Sequence, residues 1–195
     1  MLEDVPLKKI PYCRKVKKSI KTISKSIDNV FNTIYVGLES CEVLELIRIQ
    51  LRELFNKSIY RLQKIEVDVK MANHVKKRVS YFYSPYHFEI DMKSHIIPDI
   101  YMVSQVIHSL VSSNSINNPV KIIVIRNANE MSKISQFALR RMMETHSSNS
   151  VFLLECNQLT SIENAIISRC FIFRIPLPNT EIIRKYIEYI LSKKK

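Results

Sequence analysis

Residues 120–157 read VKIIVIRNANEMSKISQFALRRMMETHSSNSVFLLECN, and this stretch decides the fold class. The run 120–125 is almost continuously apolar, which is typical of a strand buried on both faces of a parallel sheet. Residues 132–146 read as a helix with Ser132 as a candidate N-cap, and 150–156 form a second apolar run. Strand, helix and strand in this order predict a β-α-β unit, whose two strands lie parallel.

The segments on either side of this unit continue the alternation of strands and helices. The run 33–36 is short and β-rich and ends at Gly37, and a helix with one apolar face is predicted over 39–56. Further elements are predicted as a strand at 63–71, β-rich residues 79–91 with a turn at Ser84-Pro85, a helix at 97–111, a short helix or turn at 161–168, a strand at 170–175 and a last helix at 180–192. The order predicts an α/β fold with a largely parallel sheet and helices on both faces.

Composition narrows the possible functions. The chain has 195 residues and a single glycine, which excludes both the dinucleotide motif GxGxxG and the phosphate loop GxxxxGK[ST]. The four cysteines form no CxxC pair, and the five histidines show neither a metal-site nor a triad-like setting. A formal net charge of +12 favours an acidic partner, with nucleic acid as the first candidate and an anionic membrane surface as the second.

The amino-terminal residues are basic rather than apolar. The start MLEDVPLKK lacks the apolar region of a signal peptide, and no apolar stretch reaches the roughly 18 residues of a transmembrane helix. Residues 8–25 contain lysines and arginines but no acid, with one apolar stripe that predicts a helix. Its basic face is either solvated or in contact with phosphates.

Three motifs carry a family resemblance: QFALRRMME at 136–144, ECN at 155–157 and ISRC at 167–170. With their spacing, they make residues 121–178 resemble the AAA+ core of replication factor C small subunits, which belong to the eukaryotic sliding-clamp loader. YHFEID at 86–91 resembles a stretch of the small subunit that ends the clamp-loader arc without productive ATP hydrolysis. The resemblance implies a RecA-like core over 1–178, the first helix of a truncated lid over 179–195, and no collar domain.

The same resemblance identifies the remnant of a nucleotide site, formed by Gly37, Glu39, Ser40, Arg126, Asn127, Asn129 and Asn157. The loop GLESCEV at 37–43 has no lysine, and residues 126–129 lack the carboxylates that hold Mg²⁺ and polarise water in the family. Asn157 matches a polar sensor residue and is expected to cap backbone groups. The chain is therefore predicted to be no enzyme, to bind no metal and to leave ATP to partner subunits.

Residues 168–170, Ser168-Arg169-Cys170, match the family's SRC motif. Its arginine projects into the ATP site of the adjacent subunit, and a planar, permanently charged guanidinium suits a γ-phosphate. The resemblance thus implies that Arg169 is an arginine finger that acts in trans. The alternative is an ion pair between Arg169 and a local carboxylate such as Glu163.

The helix at 132–146 supplies the candidate DNA contacts, which are Gln136, Arg140, Arg141 and Lys133. By resemblance this helix lines the inner chamber of the clamp loader, where basic side chains can follow phosphates without reading sequence. The alternative is an ordinary exposed pair in which Arg140 or Arg141 binds Glu144. The basic stretch 76–78 is a weaker candidate of the same kind.

The function predicted from these features is that of a non-catalytic clamp-loader subunit. It would help to load a sliding clamp on DNA, and its partners would be the other subunits, the clamp and primer–template DNA, without a membrane. Its site of action would be the nucleus or an equivalent replication compartment. Two alternatives remain open: a stand-alone DNA-binding protein built on an inactive AAA+ domain, and an ATPase that uses unrecognised residues.

Overall fold

A computed structural model of the chain describes residues 30–38, 43–55, 59–72, 75–93, 97–113, 120–177 and 179–193. The predicted basic helix at 8–25 lies outside these ranges. The strands are β1 (Thr33–Val36), β2 (Gln63–Lys70), β3 (Lys76–Tyr83), β4 (His87–Asp91), β5 (Lys121–Arg126), β6 (Ser150–Cys156) and β7 (Phe171–Arg174). The helices are α1 (Val43–Phe55), α2 (Asp99–Tyr101, continued by a π-helical turn over Met102–Ile107 and by His108–Ser112), α3 (Lys133–Thr145), α4 (Asn164–Ile167) and α5 (Thr180–Lys193).

The described strands form one seven-stranded sheet in the order β2-β3-β4-β5-β6-β1-β7. Neighbours from β4 to β7 in this order pair in parallel, whereas β2–β3 and β3–β4 are antiparallel. The largely parallel sheet predicted from the apolar runs is thus confirmed. The antiparallel addition at one edge follows from the short connections of β2, β3 and β4, because parallel neighbours need a long crossover.

Helices cover both faces of the sheet, as predicted. Alternate residues of β5 face opposite layers: Ile122 and Val124 pack with α1, whereas Ile123 and Ile125 pack with α2 and α3. This alternation follows from the period of two along a strand, and it explains why the run 120–125 is apolar throughout.

The start of α3 is fixed from two sides. Ser132 is the N-cap, as predicted, and its side chain accepts a hydrogen bond from the backbone N–H of Ser135. Asp99 at the start of α2 accepts a further bond from the backbone N–H of Ser132, at 2.5 Å. Burial raises the pKa of Asp99, but its hydrogen bonds from Ser132, Ser135 and Ile100 outweigh burial and lower it. The carboxylate therefore joins α2 to α3.

Lys121 is a charged residue at the start of the apolar strand β5, and it is buried. Its Nζ donates hydrogen bonds to the carbonyls of Leu110, Val111 and Ser113. These carbonyls belong to the last turn of α2, where a cation also offsets the negative end of the helix dipole. Burial lowers the pKa of Lys121.

The π-helical turn of α2 holds the outer edge of the sheet. The side-chain amide of Gln105 accepts from the backbone N–H of Lys70 at 3.1 Å and donates to its carbonyl at 2.6 Å. The hydroxyl of Tyr101 accepts from the backbone N–H of Ala72 at 3.2 Å. The end of β2 is thus tied to α2 by hydrogen bonds from its backbone to two side chains of α2.

Candidate functional site

A cleft of about 440 Å³ opens at the carboxyl ends of β4, β5 and β6, beside the start of α1. Open α/β sheets bind their ligands at this edge. The cleft is lined by Val43, Leu44, Glu45, Asp91, Lys93, Arg126, Asn127 and Glu155. Arg126 and Asn127 were predicted for the remnant nucleotide site and lie in it. Glu39 and Ser40 fall outside the described residues.

Arg126 occupies the cleft with two carboxylates of its own chain. Its guanidinium lies 3.5 Å from Asp91 and 3.7 Å from Glu155. Burial raises the pKa of Glu155, and the charge of Arg126 only partly offsets this. Arg126 thus offsets part of the acidic charge within the cleft.

Asn127 follows Arg126 and links the ends of two strands. Its φ of 52° lies in the left-handed region, which asparagine tolerates better than most residues. Its Nδ2 donates to Asp91 at 2.7 Å, so the side chain ties the end of β5 to the end of β4.

The structure brings Asn129 and Asn157 together. The backbone N–H of Asn157 donates to Oδ1 of Asn129 at 3.3 Å. The side-chain amide of Asn129 thus caps the end of β6, and the capping role of the Asn157 side chain stays a prediction. The reason is geometric, because the turn at Ala128–Glu130 brings Asn129 beside the end of β6.

Gly37 follows β1 and packs closely against the start of α1. Its φ is not positive, but a β-carbon there would lie 2.9 Å from Cγ2 of Val43 and 3.2 Å from Cβ of Ile175. The position therefore needs glycine for close packing between α1 and the residue that follows β7.

A buried polar row runs from the sheet to α1. Oγ of Ser84 lies 2.7 Å from Nδ1 of His87, and Nε2 of His87 lies 2.9 Å from Oε1 of Glu89. Arg48 binds both carboxylate oxygens of Glu89, at 2.9 and 2.8 Å, and also reaches Glu45. The β3–β4 turn brings Ser84 beside His87, so the row contains a serine, a histidine and an acid, the three residue types of a catalytic triad.

This row has no catalytic geometry. Ser84 is buried, and its hydroxyl oxygen already accepts backbone N–H groups from Tyr86 and His87. A catalytic triad places the serine on Nε2 and the acid on Nδ1, which is the reverse of the order here. Burial raises the pKa of Glu89, but hydrogen bonds from His87 and Arg48 and the charge of Arg48 outweigh it and lower this pKa to about 2. The row is a structural ion pair.

Arg169 lies at the end of α4, immediately before β7. Its guanidinium donates to the carbonyl of Ala165 at 2.7 Å and pairs with Glu144 at 2.7 Å, with 39% of the side chain exposed. The local ion pair anticipated as the alternative exists, but its partner is Glu144 of α3. Glu163 lies 3.7 Å from Lys133 instead.

Arg169 and the cleft lie at opposite edges of the sheet. β7 runs parallel to β1 with Thr33 opposite Phe171, so Arg169 precedes the amino ends of both strands. Gly37 follows the carboxyl end of β1. At about 3.3 Å per residue, the strand length alone separates these edges by roughly 13 Å. Arg169 therefore faces away from its own chain's cleft.

The neighbours of Arg169 in the motif have structural contacts. Oγ of Ser168 donates to the carbonyl of Ala165 and accepts from Arg169, both at 3.2 Å. Burial raises the pKa of the Cys170 thiol to about 12, which keeps it protonated, and does the same for Cys156, to about 11.

The four predicted DNA contacts of α3 differ in exposure. Gln136 is 2% exposed, donates to the carbonyls of Met131 and Ser161, and accepts from the N–H of Glu163. The prediction that Gln136 contacts DNA is therefore wrong. The side chain is buried, and its amide makes hydrogen bonds that join α3 to the start of α4. Arg140 lies 3.7 Å from Glu144, as the alternative anticipated. Lys133 is 82% exposed, and Arg141 is exposed without an ion pair among the described residues.

The described ranges hold no group of three or more histidine, cysteine, aspartate or glutamate side chains that could bind a metal ion. Among the same residues, no helix is long and apolar enough to cross a membrane.

Solved structures place this architecture in a known class. The chain superposes on the Aeropyrum pernix ORC1 protein, solved in complex with DNA, with a TM-score of 0.60 and 13% identity, covering 93% of this chain and 48% of that one. It also superposes on a DNA polymerase III gamma subunit-related protein of Thermotoga maritima, with a TM-score of 0.55 and 13% identity, covering 85% and 46%. The fold is that of an AAA+ protein, as predicted.

Sequence comparison then gives the family. Residues 55–179 match the family described as DNA polymerase III, delta subunit. A protein of Acanthamoeba polyphaga mimivirus named as a replication factor C small subunit is 30% identical over 90% of this chain and 48% of its own length. Replication factor C subunit 5 of Saccharomyces cerevisiae is 26% identical over 74% of this chain and 44% of its own. The chain belongs to this family of AAA+ clamp-loader proteins and spans about half the length of these relatives.

Proposed function

We propose that this protein is a non-catalytic clamp-loader subunit in DNA replication that supplies Arg169 to the ATP site of a neighbouring subunit. The observation that carries the proposal is the placement of Arg169: half-exposed, at the edge of the sheet opposite its own cleft. A guanidinium in that place can stabilise phosphate charge only on another chain. The other clamp-loader subunits, a sliding clamp and primer–template DNA are the proposed partners, in the nucleus or an equivalent replication compartment.

The cleft supports the non-catalytic part of the proposal. Arg126 pairs there with Asp91 and Glu155, and Asn127 is committed to a left-handed turn. Among the described residues that line this cleft, none provides the pair of free carboxylates that metal-assisted hydrolysis uses. ATP and Mg²⁺ would therefore be bound by partner subunits, and this chain would stimulate a partner's ATPase.

Titration calorimetry with ATP and Mg²⁺ is expected to show no metal-dependent binding to the isolated protein. The physical reason is that a triphosphate would face Glu45, Asp91 and Glu155, with Arg126 already neutralised. A catalytic subunit of the same complex is the positive control. Tight, Mg²⁺-dependent binding would instead support an ATPase that uses residues not identified by the motifs.

Arg141 is the residue of α3 that the geometry favours for a DNA contact, because Lys133 lies near Glu163 and Arg140 lies near Glu144. Replacing Arg141 by Gln is expected to lower the slope of log Kobs against log salt by about 0.9 for duplex DNA, because one phosphate contact is lost. A filter-binding series measures the slope. Arg174→Gln removes an exposed arginine of β7 and is the matched control, for which the slope should stay unchanged. Equal slopes for wild type and Arg141→Gln would contradict a contact between α3 and DNA.

The domain assignment is part of the same proposal: a core that ends near residue 178, followed by the first helix of a lid over 179–195. In α5, Ile183, Ile187 and Leu191 are exposed and recur at helical spacing. Such a stripe packs against other apolar surface in a helical domain. Its side chains support the view that α5 begins a unit separate from the sheet.

A stand-alone DNA-binding protein on an inactive AAA+ domain is the second candidate, favoured by the net charge of +12 and by the unpaired Arg141. The two candidates differ in partner dependence. Copurification of the protein from its native source, with identification of the chains that accompany it, separates them. Clamp-loader subunits or a sliding clamp in the eluate favour the first, and tight DNA binding by a protein that elutes alone favours the second.

A further inference from the structure

The first two turns of α3 place apolar side chains outside and polar side chains inside. Ile134 is 70% exposed and Phe137 is 48% exposed, whereas Ser135 and Gln136, which lie between them in the chain, are buried. A helix that packs only against the core of its own domain has the opposite arrangement, with its apolar face inward. Adjacent exposed apolar side chains of this kind mark a surface that another molecule covers.

This inverted arrangement is fixed by the contact between α3 and α4. The buried amide of Gln136 donates to the carbonyl of Ser161 and accepts from the backbone N–H of Glu163. If α3 turned to bury Ile134 and Phe137, Gln136 would move outward and those backbone groups would lose their partner, which is costly for buried groups. The apolar pair therefore stays on the outer face of the helix.

The same outer face of α3 leads to Arg169. On a helix of about 3.6 residues per turn, Ile134, Phe137 and Glu144 lie within an arc of roughly 80° and along roughly 15 Å of the axis. Glu144 binds the guanidinium of Arg169 at 2.7 Å. The apolar pair and Arg169 thus border one continuous surface, and a protein seated on Arg169 would also reach the exposed face of α3.

We propose that Ile134 and Phe137 form an apolar docking surface for the same neighbouring subunit that receives Arg169. The inference rests on the proposed function in taking that subunit as the occupant, and it adds the contact that holds the two chains together. Arg169 would act on the transition state of the neighbour's reaction, whereas burial of apolar side chains stabilises the assembly itself.

The chemistry of this surface favours a protein over a nucleic acid as its occupant. Apolar side chains gain little from a phosphate backbone, which is bound through charge and hydrogen bonds. Lys133 and Arg141 are exposed on either side of the apolar pair. The neighbour is therefore expected to present an apolar patch with acidic side chains at its rim, because complementary charge surrounds an apolar centre in such interfaces.

The test is the affinity of this protein for the clamp-loader chain that copurifies with it and whose ATP turnover it stimulates, titrated with a non-hydrolysable ATP analogue present. Ile134→Ser/Phe137→Ser is expected to weaken binding about tenfold or more, because the contact loses two apolar side chains. Val75→Ser changes a side chain of 47% exposure between β2 and β3 and is the matched control, for which affinity should stay unchanged. Both variants should keep the wild-type melting temperature, since the changed side chains are exposed.

Arg169→Ala in the same titration separates this inference from the proposed function. It should lose stimulated ATP turnover and keep most of the affinity, whereas Ile134→Ser/Phe137→Ser should lose affinity and regain turnover at saturating subunit concentration. Wild-type affinity in the folded double variant would overturn the inference and leave the role of Arg169 intact. Weakened binding of the double variant together with full turnover in Arg169→Ala would support the docking surface and contradict the finger. Weakened DNA binding with unchanged subunit affinity would assign the pair to DNA and overturn the inference.

Discussion

Replacing Arg169 by Ala is expected to lower ATP turnover at the site completed by this subunit by roughly 10³-fold or more. Arginine fingers have effects of this size because their fixed charge meets the developing charge on the transferred phosphoryl group. DNA-stimulated phosphate release by the reconstituted complex is the measurement. ATP binding by the partner should persist, since the finger acts on the transition state.

Two further variants keep this prediction specific. Arg169→Lys retains the charge but loses the planar fork, so it should restore only a small part of the activity. Arg174→Ala removes an exposed arginine at the far end of β7, the strand that follows Arg169, and should leave turnover intact. The pair between Arg169 and Glu144 is half-exposed, so its loss should cost at most about 1 kcal/mol of folding free energy. Full stimulated activity in a folded Arg169→Ala complex would contradict the trans role.

Replacing Glu89 by Leu is expected to cost about 3–5 kcal/mol of unfolding free energy, the usual cost of breaking a buried ion pair by removing one partner. The carboxylate of Glu89 is 1% exposed and binds Arg48 through both oxygens. Its loss would leave the guanidinium of Arg48 without that partner and the ring of His87 without an acceptor. Urea denaturation followed by circular dichroism measures the change.

Three measurements test whether this loss of unfolding free energy comes from the buried ion pair. Arg48→Met/Glu89→Leu should recover most of the loss, because it removes both charges. Glu66→Leu breaks an exposed pair and should cost less than about 1 kcal/mol. The pKa of Glu89 in the folded protein, about 2, lies below its ordinary value of 4.5, so its stabilisation is complete above pH 4.5 and is lost as the pH falls towards 2. Wild type should thus lose about 3 kcal/mol more than Glu89→Leu over that interval, and parallel pH profiles would contradict the assignment.

The parts of the fold that follow from periodicity were predictable from the sequence. The apolar runs at 120–125 and 150–156 and the cap at Ser132 involve neighbours in the chain, and the structure confirms each. Lys121 and Asp99 escaped prediction because their partners lie on other elements. Lys121 reads as an interruption of an apolar run until the end of α2 is placed beside it.

In the candidate site, too, the sequence predicted what neighbouring residues determine and missed what contacts between elements determine. Motif order located Arg169 and the remnant cleft, but not the partner of Arg169, since Glu144 lies on another helix. Gln136 was misassigned because helical spacing gives a shared face with Arg140, and spacing alone does not tell which side of that face is buried. The left-handed backbone of Asn127 leaves no signal in hydropathy. The partner of Arg169, the burial of Gln136 and the backbone conformation of Asn127 all depend on tertiary contacts.

The amide of Gln105 has a consequence for solubility. β2 is the last strand on its side of the sheet, and an unpaired strand edge invites addition of a strand from another molecule, which begins aggregation. Gln105 occupies the N–H and carbonyl of Lys70, and the charged side chains of Lys64, Glu66 and Asp68 follow along the same strand. An incoming strand would have to displace the amide and bury those charges. A single glutamine on a π-helical turn thus helps to keep copies of this protein from joining edge to edge.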